Sequence, residues 1–169
     1  MDQDIQQLLS ERRYDEALEQ LVDRYRHKVF RLAVAMLRDP GLAEETAQEV
    51  FLKIWRALPG YNGQASLSTW LYAIARNTCL SQIRYRRLRV TVTLEEPAAR
   101  TASASQPDSG YLDVRRHMEE LPEVQRQVLA LFYLQEKSYD DVAALLDMPV
   151  GTVKSHLHRA RRALADRLR

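Results

Sequence analysis

The stretch from Ser138 to Arg169 constrains the fold more strongly than any other part of the sequence. Ser138 followed three residues later by Asp141 is the pattern of a capping box, in which side chains accept the unpaired amide hydrogens at the start of a helix. An apolar face follows, and Pro149 interrupts it at a position that suits the first turn of a new helix. The apolar residues that recur at helical spacing in this second helix, and are expected to be buried, are Val153, Leu157, Ala160, Leu164 and Leu168.

The opposite face of this second helix is polar and basic. Its outward-facing residues are Thr152, Lys154, Ser155, His158, Arg159 and Arg162. The pattern is that of a helix-turn-helix, whose second helix enters the major groove and reads base edges near its N-terminus. An amphipathic hairpin with a solvated basic face is the alternative. Because the cap, the turn and the charge all agree, the sequence favours DNA binding.

Composition and charge limit the class of protein. The chain has 169 residues with few Gly and Pro, which suits one helical domain or two small ones. The net charge is only +2, but basic residues cluster at 84–89 and in the last helix, away from the acidic group at 44–49, which suggests more than one partner. One cysteine excludes an internal disulfide and fits a reducing compartment. No signal peptide and no membrane-spanning run are visible, so we expect a cytoplasmic protein without membrane insertion.

Apolar periodicity predicts three helices in the first half of the chain. The first covers residues 12–37 and the second 42–58, where Pro59-Gly60 stops it. Ser66 is a suitable N-cap for the third, which should run to about Arg87. Short connections let the three helices share one core, for which the candidates are Phe30, Phe51, Trp55 and Leu71.

The composition then changes. Residues Thr91–Gly110 are rich in Ala, Ser, Thr and Pro and lack a helical period, which is typical of a linker. Helices are expected at 112–120 and 122–135, before the helix-turn-helix. The sequence therefore predicts an all-α fold of two small helical domains joined by a flexible linker, the second domain ending in a helix-turn-helix. The predicted boundaries are 1–89, 90–111 and 112–169.

Two separate stretches carry a resemblance to a known family. Residues 44–58 (EETAQEVFLKIWRAL) and 69–77 (TWLYAIARN) resemble region 2 of the extracytoplasmic-function subfamily of sigma-70 factors, and residues 138–155 resemble region 4. The resemblance implies a subunit that binds the core of bacterial RNA polymerase, directs it to specific promoters and helps to melt the minus-ten element. By this resemblance 1–89 is region 2, 112–169 is region 4, and the linker between them threads the polymerase cleft.

The acidic start of the second predicted helix is the candidate docking surface. Carboxylates there are also favoured by the helix dipole alone, so a solvated helix end is the alternative. The resemblance implies docking on the clamp helices of the polymerase β′ subunit, a coiled coil with basic residues. The residues implied are Glu44, Glu45, Gln48, Glu49, Leu52 and Arg56.

The third predicted helix and the loop before it are the candidate minus-ten surface. Trp70, Asn77 and Arg84 are seven residues apart and share one helix face, where Trp offers stacking, Asn a base-edge contact and Arg a phosphate contact. Core packing is the alternative for Trp70, and a solvated helix end for the arginines. The resemblance implies that this region captures an unstacked non-template base. The residues implied are Tyr61, Asn62, Gln64, Ala65, Ser66, Trp70, Asn77, Arg84, Arg86 and Arg87.

The last helix is the candidate minus-thirty-five surface. By the resemblance, base or groove contacts fall to Lys154, Ser155, His158 and Arg159, and phosphate contacts to Thr152, Arg161 and Arg162. Residues 112–135 are expected to pack under the helix-turn-helix and touch the polymerase β flap. Members of the family are commonly held inactive by an anti-sigma factor, so such a partner is expected here.

Enzyme chemistry finds little support in the sequence. His156 and His158 are two apart on a helix and cannot chelate one metal, and Cys79 is expected to be a small buried residue. No Gly-rich phosphate loop or nucleophile elbow is present, so no cofactor, metal or small-molecule substrate is expected. Two other classes stay open: a conventional helix-turn-helix regulator that binds DNA alone, and a sigma mimic that titrates an anti-sigma factor.

Overall fold

A computed structural model describes residues 2–92, 117, 118 and 120–167. Its helices are α1 (Gln3–Ser10), α2 (Tyr14–Leu37), α3 (Pro40–Ala57), α4 (Leu67–Val92), α5 (Glu123–Leu129), α6 (Tyr139–Leu146) and α7 (Val150–Arg167). A 3-10 turn at Leu58–Gly60 follows α3, and a π-helical turn at Ala130–Leu134 follows α5. No strand occurs among these residues, which confirms the predicted all-α class. Most of the predicted linker and of the predicted helix 112–120 lies outside the described residues, so the domain boundaries stay predictions.

Helices α2, α3 and α4 pack around one core, as their apolar periodicity predicted. The core candidate Leu71 is fully buried, and Phe30 and Phe51 are half-buried at its edge. Trp55 was wrongly predicted to lie in this core. It is 46% exposed, and its indole Nε1 donates to Asp15 Oδ1 at 3.2 Å. The reason is the helical step of about 100°, which turns position 55 away from the core when Ile54 faces it.

Helix α1 was not predicted. It buries Ile5 and Leu8 against α2. Asp2 fixes its start, since the Asp2 carboxylate accepts a hydrogen bond from the Tyr25 hydroxyl at 2.9 Å and pairs with Arg24 at 3.0 Å. A helix of this length is marginal in isolation, so packing rather than local propensity determines it.

The predicted helix ends differ from the observed ones by a few residues. Helix α2 begins at Tyr14 rather than at residue 12, and α4 continues past Arg87 to Val92. Helix α3 begins at Pro40 because Asp39 serves as its N-cap, with its carboxylate accepting from Leu42 N at 3.0 Å. Local capping therefore determined the start of α3 more than the apolar period did.

The predicted helix-turn-helix is present. Ser138 Oγ accepts from Asp141 N at 3.1 Å and Asp141 Oδ2 accepts from Ser138 N at 3.3 Å, so the predicted capping box forms. Asp147 ends α6 with φ 50°, and Pro149 lies one residue before α7 rather than inside its first turn. In α7 the predicted apolar face is buried at Val153, Leu157 and Ala160 and half-buried at Leu164, whereas Leu168 lies outside the described residues.

The two helical parts of the chain are packed together. Helix α2 contacts α5 and the π-helical turn, and the start of α4 contacts α6. Within the described part of the chain, no helix is both long and apolar enough to cross a membrane.

Candidate docking and nucleic-acid surfaces

The exposed side of α3 carries the predicted docking residues. Glu44, Glu45, Gln48 and Arg56 are exposed, and Leu52 is 56% exposed although it is apolar. Trp55 joins this surface, which the sequence prediction missed. Positions 48, 52, 55 and 56 share one helix face, and this spacing was the signal that could have placed Trp55 outside the core.

Glu49 differs from its neighbours because it is engaged within the protein. It is half-buried, pairs with Lys53 at 2.7 Å and accepts from Gln82 Nε2 at 3.1 Å. The hydrogen bond from Lys53 lowers the pKa of the Glu49 carboxyl, so it is ionised at neutral pH. Glu49 therefore ties α3 to α4 and is less available to a partner than Glu45.

The loop between α3 and α4 is closed by its own hydrogen bonds. The Tyr61 hydroxyl donates to the Ala65 carbonyl at 2.8 Å, and Asn62 Oδ1 accepts from Gln64 N at 3.1 Å. Gly63 has φ +74°, a conformation that glycine adopts at little cost. Ser66 Oγ accepts from Thr69 N at 3.2 Å, so Ser66 caps α4 as predicted.

These bonds give the loop residues two different environments. Asn62, Gln64, Ala65 and Ser66 are exposed, whereas Tyr61 is half-buried, with its ring centroid 5.1 Å from that of Trp70. Burial raises the pKa of the Tyr61 hydroxyl. Trp70 is itself half-buried and packs against the edge of the core, which leaves part of its ring accessible, so its contact with DNA stays a prediction.

Asn77 lies on the same face of α4 as Trp70 but two turns further along the helix. It lines an open cleft of about 280 Å³ between α3 and α4, together with Lys53, Ala57, Ile74, Thr78 and Ser81. Seven residues correspond to about 10 Å of helix, so Trp70 and Asn77 are suited to neighbouring rather than identical nucleotides. Lys53, which the sequence prediction did not include, also lines this cleft, where its amine is paired with Glu49 at 2.7 Å.

The predicted arginine cluster is divided between different partners. Arg84 is exposed and lies two turns after Asn77 on the same face of α4. Arg86 pairs with Asp39 Oδ2 at 2.6 Å, and Arg87 pairs with Glu123 Oε2 at 2.9 Å. The structure therefore does not gather these arginines into one phosphate-binding surface.

The six residues that the helical period predicted to face outward are exposed on α7, and so is Arg161. Two of its cations lie against aromatic rings: Lys154 Nζ is 5.4 Å from the Tyr139 ring centre, and Arg161 Cζ is 5.2 Å from that of Tyr133. These cation–π contacts orient the two side chains along the helix-turn-helix. The arrangement offers a basic convex helix of the kind that fits a major groove.

No group of His, Cys, Asp and Glu suited to a metal ion occurs among the described residues. Cys79 is buried, as predicted, and burial raises the pKa of its thiol to about 12. A thiol in that state is a poor nucleophile at neutral pH.

Comparison with known proteins identifies the family. The model of sigma-70 region 2 matches residues 21–89, and that of sigma-70 region 4 matches residues 111–164. The RNA polymerase sigma-H factor of Pseudomonas aeruginosa is 35% identical over 162 residues, covering 88% of this chain and 84% of the relative. The extracytoplasmic-function (ECF) RNA polymerase sigma-E factor of Escherichia coli K12 is 34% identical with the same coverage.

Solved structures agree. The sigma factor RpoE from Bartonella quintana, solved in complex with the anti-sigma factor NepR, superposes with a TM-score of 0.75 at 27% identity, covering 89% of this chain and 95% of that one. CnrH, solved in complex with the cytosolic domain of CnrY, shares the fold with a TM-score of 0.70 at 21% identity, covering 95% of both chains. The exposed surfaces on α3, α4 and α7 lie within the two matching regions. Because both family models and these relatives match, the chain belongs to the extracytoplasmic-function subfamily of sigma-70 factors, which direct RNA polymerase to specific promoters.

Proposed function

We propose that this sigma factor docks on core polymerase through α3, reads the minus-ten element with the loop at 61–66 and α4, and reads the minus-thirty-five element with α7. The observation that carries the proposal is the uncovered apolar pair on α3, since Leu52 is 56% and Trp55 46% exposed beside Glu45. Large apolar side chains rimmed by charge are typical of protein interfaces. In this family the partner is the basic coiled coil of the β′ clamp helices, which matches both the apolar pair and the carboxylates.

A charge reversal tests this docking surface. Glu45→Arg should weaken binding to core polymerase by about tenfold or more, because it places a cation against a basic partner. Glu19→Arg, at an exposed position on α2, is the matched control and should bind as the wild type does. Fluorescence titration with core polymerase gives both affinities. Equal affinity of the two variants would remove α3 from the interface.

At the minus-ten element, the exposed loop and the Asn77 cleft are proposed to hold an unstacked base. Taking a base out of the duplex costs a few kcal/mol, and one stacking platform returns about 1 to 3 kcal/mol. Because these terms nearly balance, the isolated protein should not open duplex DNA, and contacts made by polymerase must supply the difference. Binding energy alone is then enough, and the protein acts as an initiation factor rather than as an enzyme.

At the minus-thirty-five element, α7 is proposed to enter the major groove. Lys154, Ser155, His158 and Arg159 would contact bases or the groove, and Thr152, Arg161 and Arg162 phosphates. If about four phosphates are neutralised, affinity should fall on the order of a hundredfold between 50 and 200 mM salt. The segment at 112–135 is proposed to contact the polymerase β flap. Its helix α5 packs against α7 and so supports the helix-turn-helix.

An anti-sigma factor is the proposed regulatory partner, since one similar structure is that of the sigma factor RpoE in complex with the anti-sigma factor NepR. We place the protein in the cytoplasm, where polymerase and a reduced Cys79 are expected.

Run-off transcription with purified core polymerase on a library of promoter-sized DNA tests the whole assignment. New transcripts that share a two-part upstream motif are expected. Sequence-specific binding by the protein alone, without transcripts, would instead indicate a conventional regulator. If neither activity is found, a mimic that sequesters an anti-sigma factor becomes the better description.

A further inference from the structure

Helix α1 lies before the part of the chain that the model of sigma-70 region 2 matches, which begins at residue 21. Packing holds it in place, since Ile5 and Leu8 are buried against α2. Its other residues are polar, and two of them, Asp2 and Gln6, are one helical turn apart, with Gln6 N donating to the Asp2 carbonyl at 2.9 Å. These two side chains lie towards α2 and the loop at 61–66.

Asp2 stands at the N-cap position of α1 but does not cap the helix. A carboxylate at this position commonly accepts from the second or third amide of its own helix. Within the described chain, the Asp2 side chain makes no such bond. Its carboxylate instead accepts from the Tyr25 hydroxyl at 2.9 Å and pairs with Arg24 at 3.0 Å, and the side chain is only 15% exposed. A contact with another helix has thus replaced a local one.

From Tyr25 the hydrogen bonds continue to the start of α4. Burial raises the pKa of the Tyr25 hydroxyl, its bond to Asp2 raises that pKa further, and a hydrogen bond with Ser68 lowers it. Ser68 Oγ lies 3.3 Å from Ser66 Oγ, and Ser66 caps α4 at the end of the loop. The Tyr25 ring also meets the Tyr72 ring edge-on, with 6.1 Å between their centroids. One buried tyrosine therefore connects α1 to the end of the loop.

The beginning of the loop is contacted by α1 directly. Burial raises the pKa of the Tyr61 hydroxyl, a hydrogen bond with the Gln6 side chain lowers it, and the charge of Asp2 raises it. Both side chains of α1 therefore lie near this hydroxyl, which closes the loop by donating to the Ala65 carbonyl at 2.8 Å. Helix α1 thus supports both ends of the loop.

The middle of the loop depends on this support. Asn62, Gln64 and Ala65 are exposed, and Gly63 adds freedom to the backbone. Exposed segments with few buried apolar contacts belong to the least stable parts of a fold. Groups that bind a ligand must nevertheless be held within about 0.5 Å of their productive positions. The position of the exposed loop residues must therefore come from the two ends of the loop.

We propose that α1 supports the loop at 61–66, so that Asp2 and Gln6 hold it in the position from which it captures a base of the minus-ten element. Asp2 and Gln6 are positioning residues, because they act through Tyr25 and Tyr61. The support itself rests on the contacts of the chain, whereas its effect on the promoter rests on the proposed function.

Amide hydrogen exchange, measured by NMR on the free, full-length chain, tests the support. The reporters are the amides of Gln64 and Thr69, which are hydrogen-bonded within the loop and at its end. Asp2→Ala should speed their exchange about two- to tenfold, as expected for the loss of one hydrogen bond. Asp2→Asn keeps an acceptor for the Tyr25 hydroxyl and should restore most of the protection.

Two neighbours in α1 provide matched controls. Asp4 pairs with the same arginine as Asp2, at 2.6 Å, but is exposed, so Asp4→Ala should leave the loop amides unchanged. Gln6→Ala should speed the exchange, whereas Gln7→Ala should not, because the Gln7 amide donates to Glu11 at 3.0 Å. If Asp2→Ala and Gln6→Ala exchange as their controls do, α1 does not support the loop and the proposal is overturned.

The effect on the promoter has a separate readout. With holoenzyme and 2-aminopurine in the minus-ten element, Gln6→Ala should slow melting about two- to tenfold, while affinity for core polymerase is unchanged. Gln7→Ala should melt the promoter as the wild type does. Because Gln6 acts through the Tyr61 hydroxyl, Gln6→Ala combined with Tyr61→Phe should be no slower than Tyr61→Phe alone. Additive effects would overturn the positioning role of Gln6.

The support and the proposed function can fail separately. Faster loop exchange in Asp2→Ala and Gln6→Ala with unchanged promoter melting would uphold the support, but it would contradict the capture of a base by this loop. Unchanged exchange in both variants, with slow melting in Tyr61→Phe, would overturn the support by α1 and leave the proposed role of the loop in place.

Discussion

At the residue scale, the half-buried Tyr61 holds the loop at 61–66 in place, while its neighbours in the loop are the exposed residues. Its ring packs against Trp70 at 5.1 Å, and its hydroxyl closes the loop through the Ala65 carbonyl. The exposed groups of the loop, Asn62 and Gln64, are therefore the better candidates for base contacts. The resemblance alone implied Tyr61 as a member of the same pocket.

Tyr61→Phe separates these two roles. It keeps the ring contact and removes one hydrogen bond, worth about 0.5–1.5 kcal/mol net, so promoter melting should slow roughly two- to tenfold while affinity for core polymerase is unchanged. Fluorescence of 2-aminopurine placed in the minus-ten element measures the melting rate. Tyr133→Phe, at an exposed tyrosine, is the control. A melting rate equal to that of the control would mean that the hydroxyl does not position the loop.

Arg159 and Arg162 of α7 are expected to contact different parts of the DNA, the first a base and the second a phosphate. Arg159→Ala should change the sequence preference at the minus-thirty-five element, because a base contact is worth about 1–3 kcal/mol of discrimination. Arg162→Ala should weaken all sequences alike, since phosphate contacts carry no sequence information. Selection from a promoter library measures both effects. The reverse outcome would exchange the two assignments.

At the scale of elements, capping determines where helices begin. The capping box of Ser138 and Asp141 and the Asp39 cap of α3 are local patterns of side chain and amide, and both are present. The short α1 has no such side-chain cap, and its stability comes from Ile5 and Leu8 against α2. The sequence analysis predicted the capping box, but it began α3 at residue 42 and so missed the Asp39 cap, and it did not predict α1.

Ser138→Ala tests how much the capping box contributes to the free energy of unfolding. Loss of the bond to Asp141 N should cost about 1 kcal/mol of unfolding free energy and lower Tm by about 2–4 °C. Ser81→Ala, inside α4, is the control, because alanine is favourable in a helix interior. Thermal unfolding followed by circular dichroism compares the two. A Tm for Ser138→Ala that is no lower than for Ser81→Ala would contradict this role.

At the scale of the whole molecule, the buried Lys137, where the two helical parts pack together, makes the stability of the fold sensitive to alkaline pH. Burial lowers the pKa of Lys137, and Asp141 and Asp2 offset part of that effect while Lys28 adds to it. Since the pKa is lower in the folded chain than in the unfolded one, loss of the proton favours folding. The contribution of Lys137 to the free energy of unfolding should therefore rise with pH from the lowered pKa towards the ordinary value of about 10.4.

Urea unfolding followed by circular dichroism measures this trend between about pH 8 and pH 9.5, below the range in which an exposed tyrosine ionises. That limit matters because burial raises the pKa values of Tyr25 and Tyr72, whose ionisation in the unfolded chain would act in the opposite direction. Lys137→Met, which keeps most of the stem and removes the amine, should abolish the trend. If the pH dependence of the unfolding free energy is the same in the wild type and in Lys137→Met, the assignment to Lys137 is wrong.

The sequence by itself determined the helical class, the helix-turn-helix and the family, whereas the position of the linker stays a prediction. It did so because helical period, caps and turn residues are local, and because the two motifs occur in a specific order. It also placed the six outward-facing residues of α7 correctly, since a single helix fully defines its own faces.

Only the tertiary structure decided the features that depend on a neighbour. The Trp55 indole and the Glu49 carboxylate have hydrogen-bond partners because α2 places Asp15, and α4 places Gln82, beside α3. Arg86 and Arg87 are ion-paired because Asp39 and Glu123 lie far away in sequence and near in space. Burial of Gln135 and Lys137 likewise has no local signal, since a polar side chain is buried only where a distant segment supplies its hydrogen-bond partners.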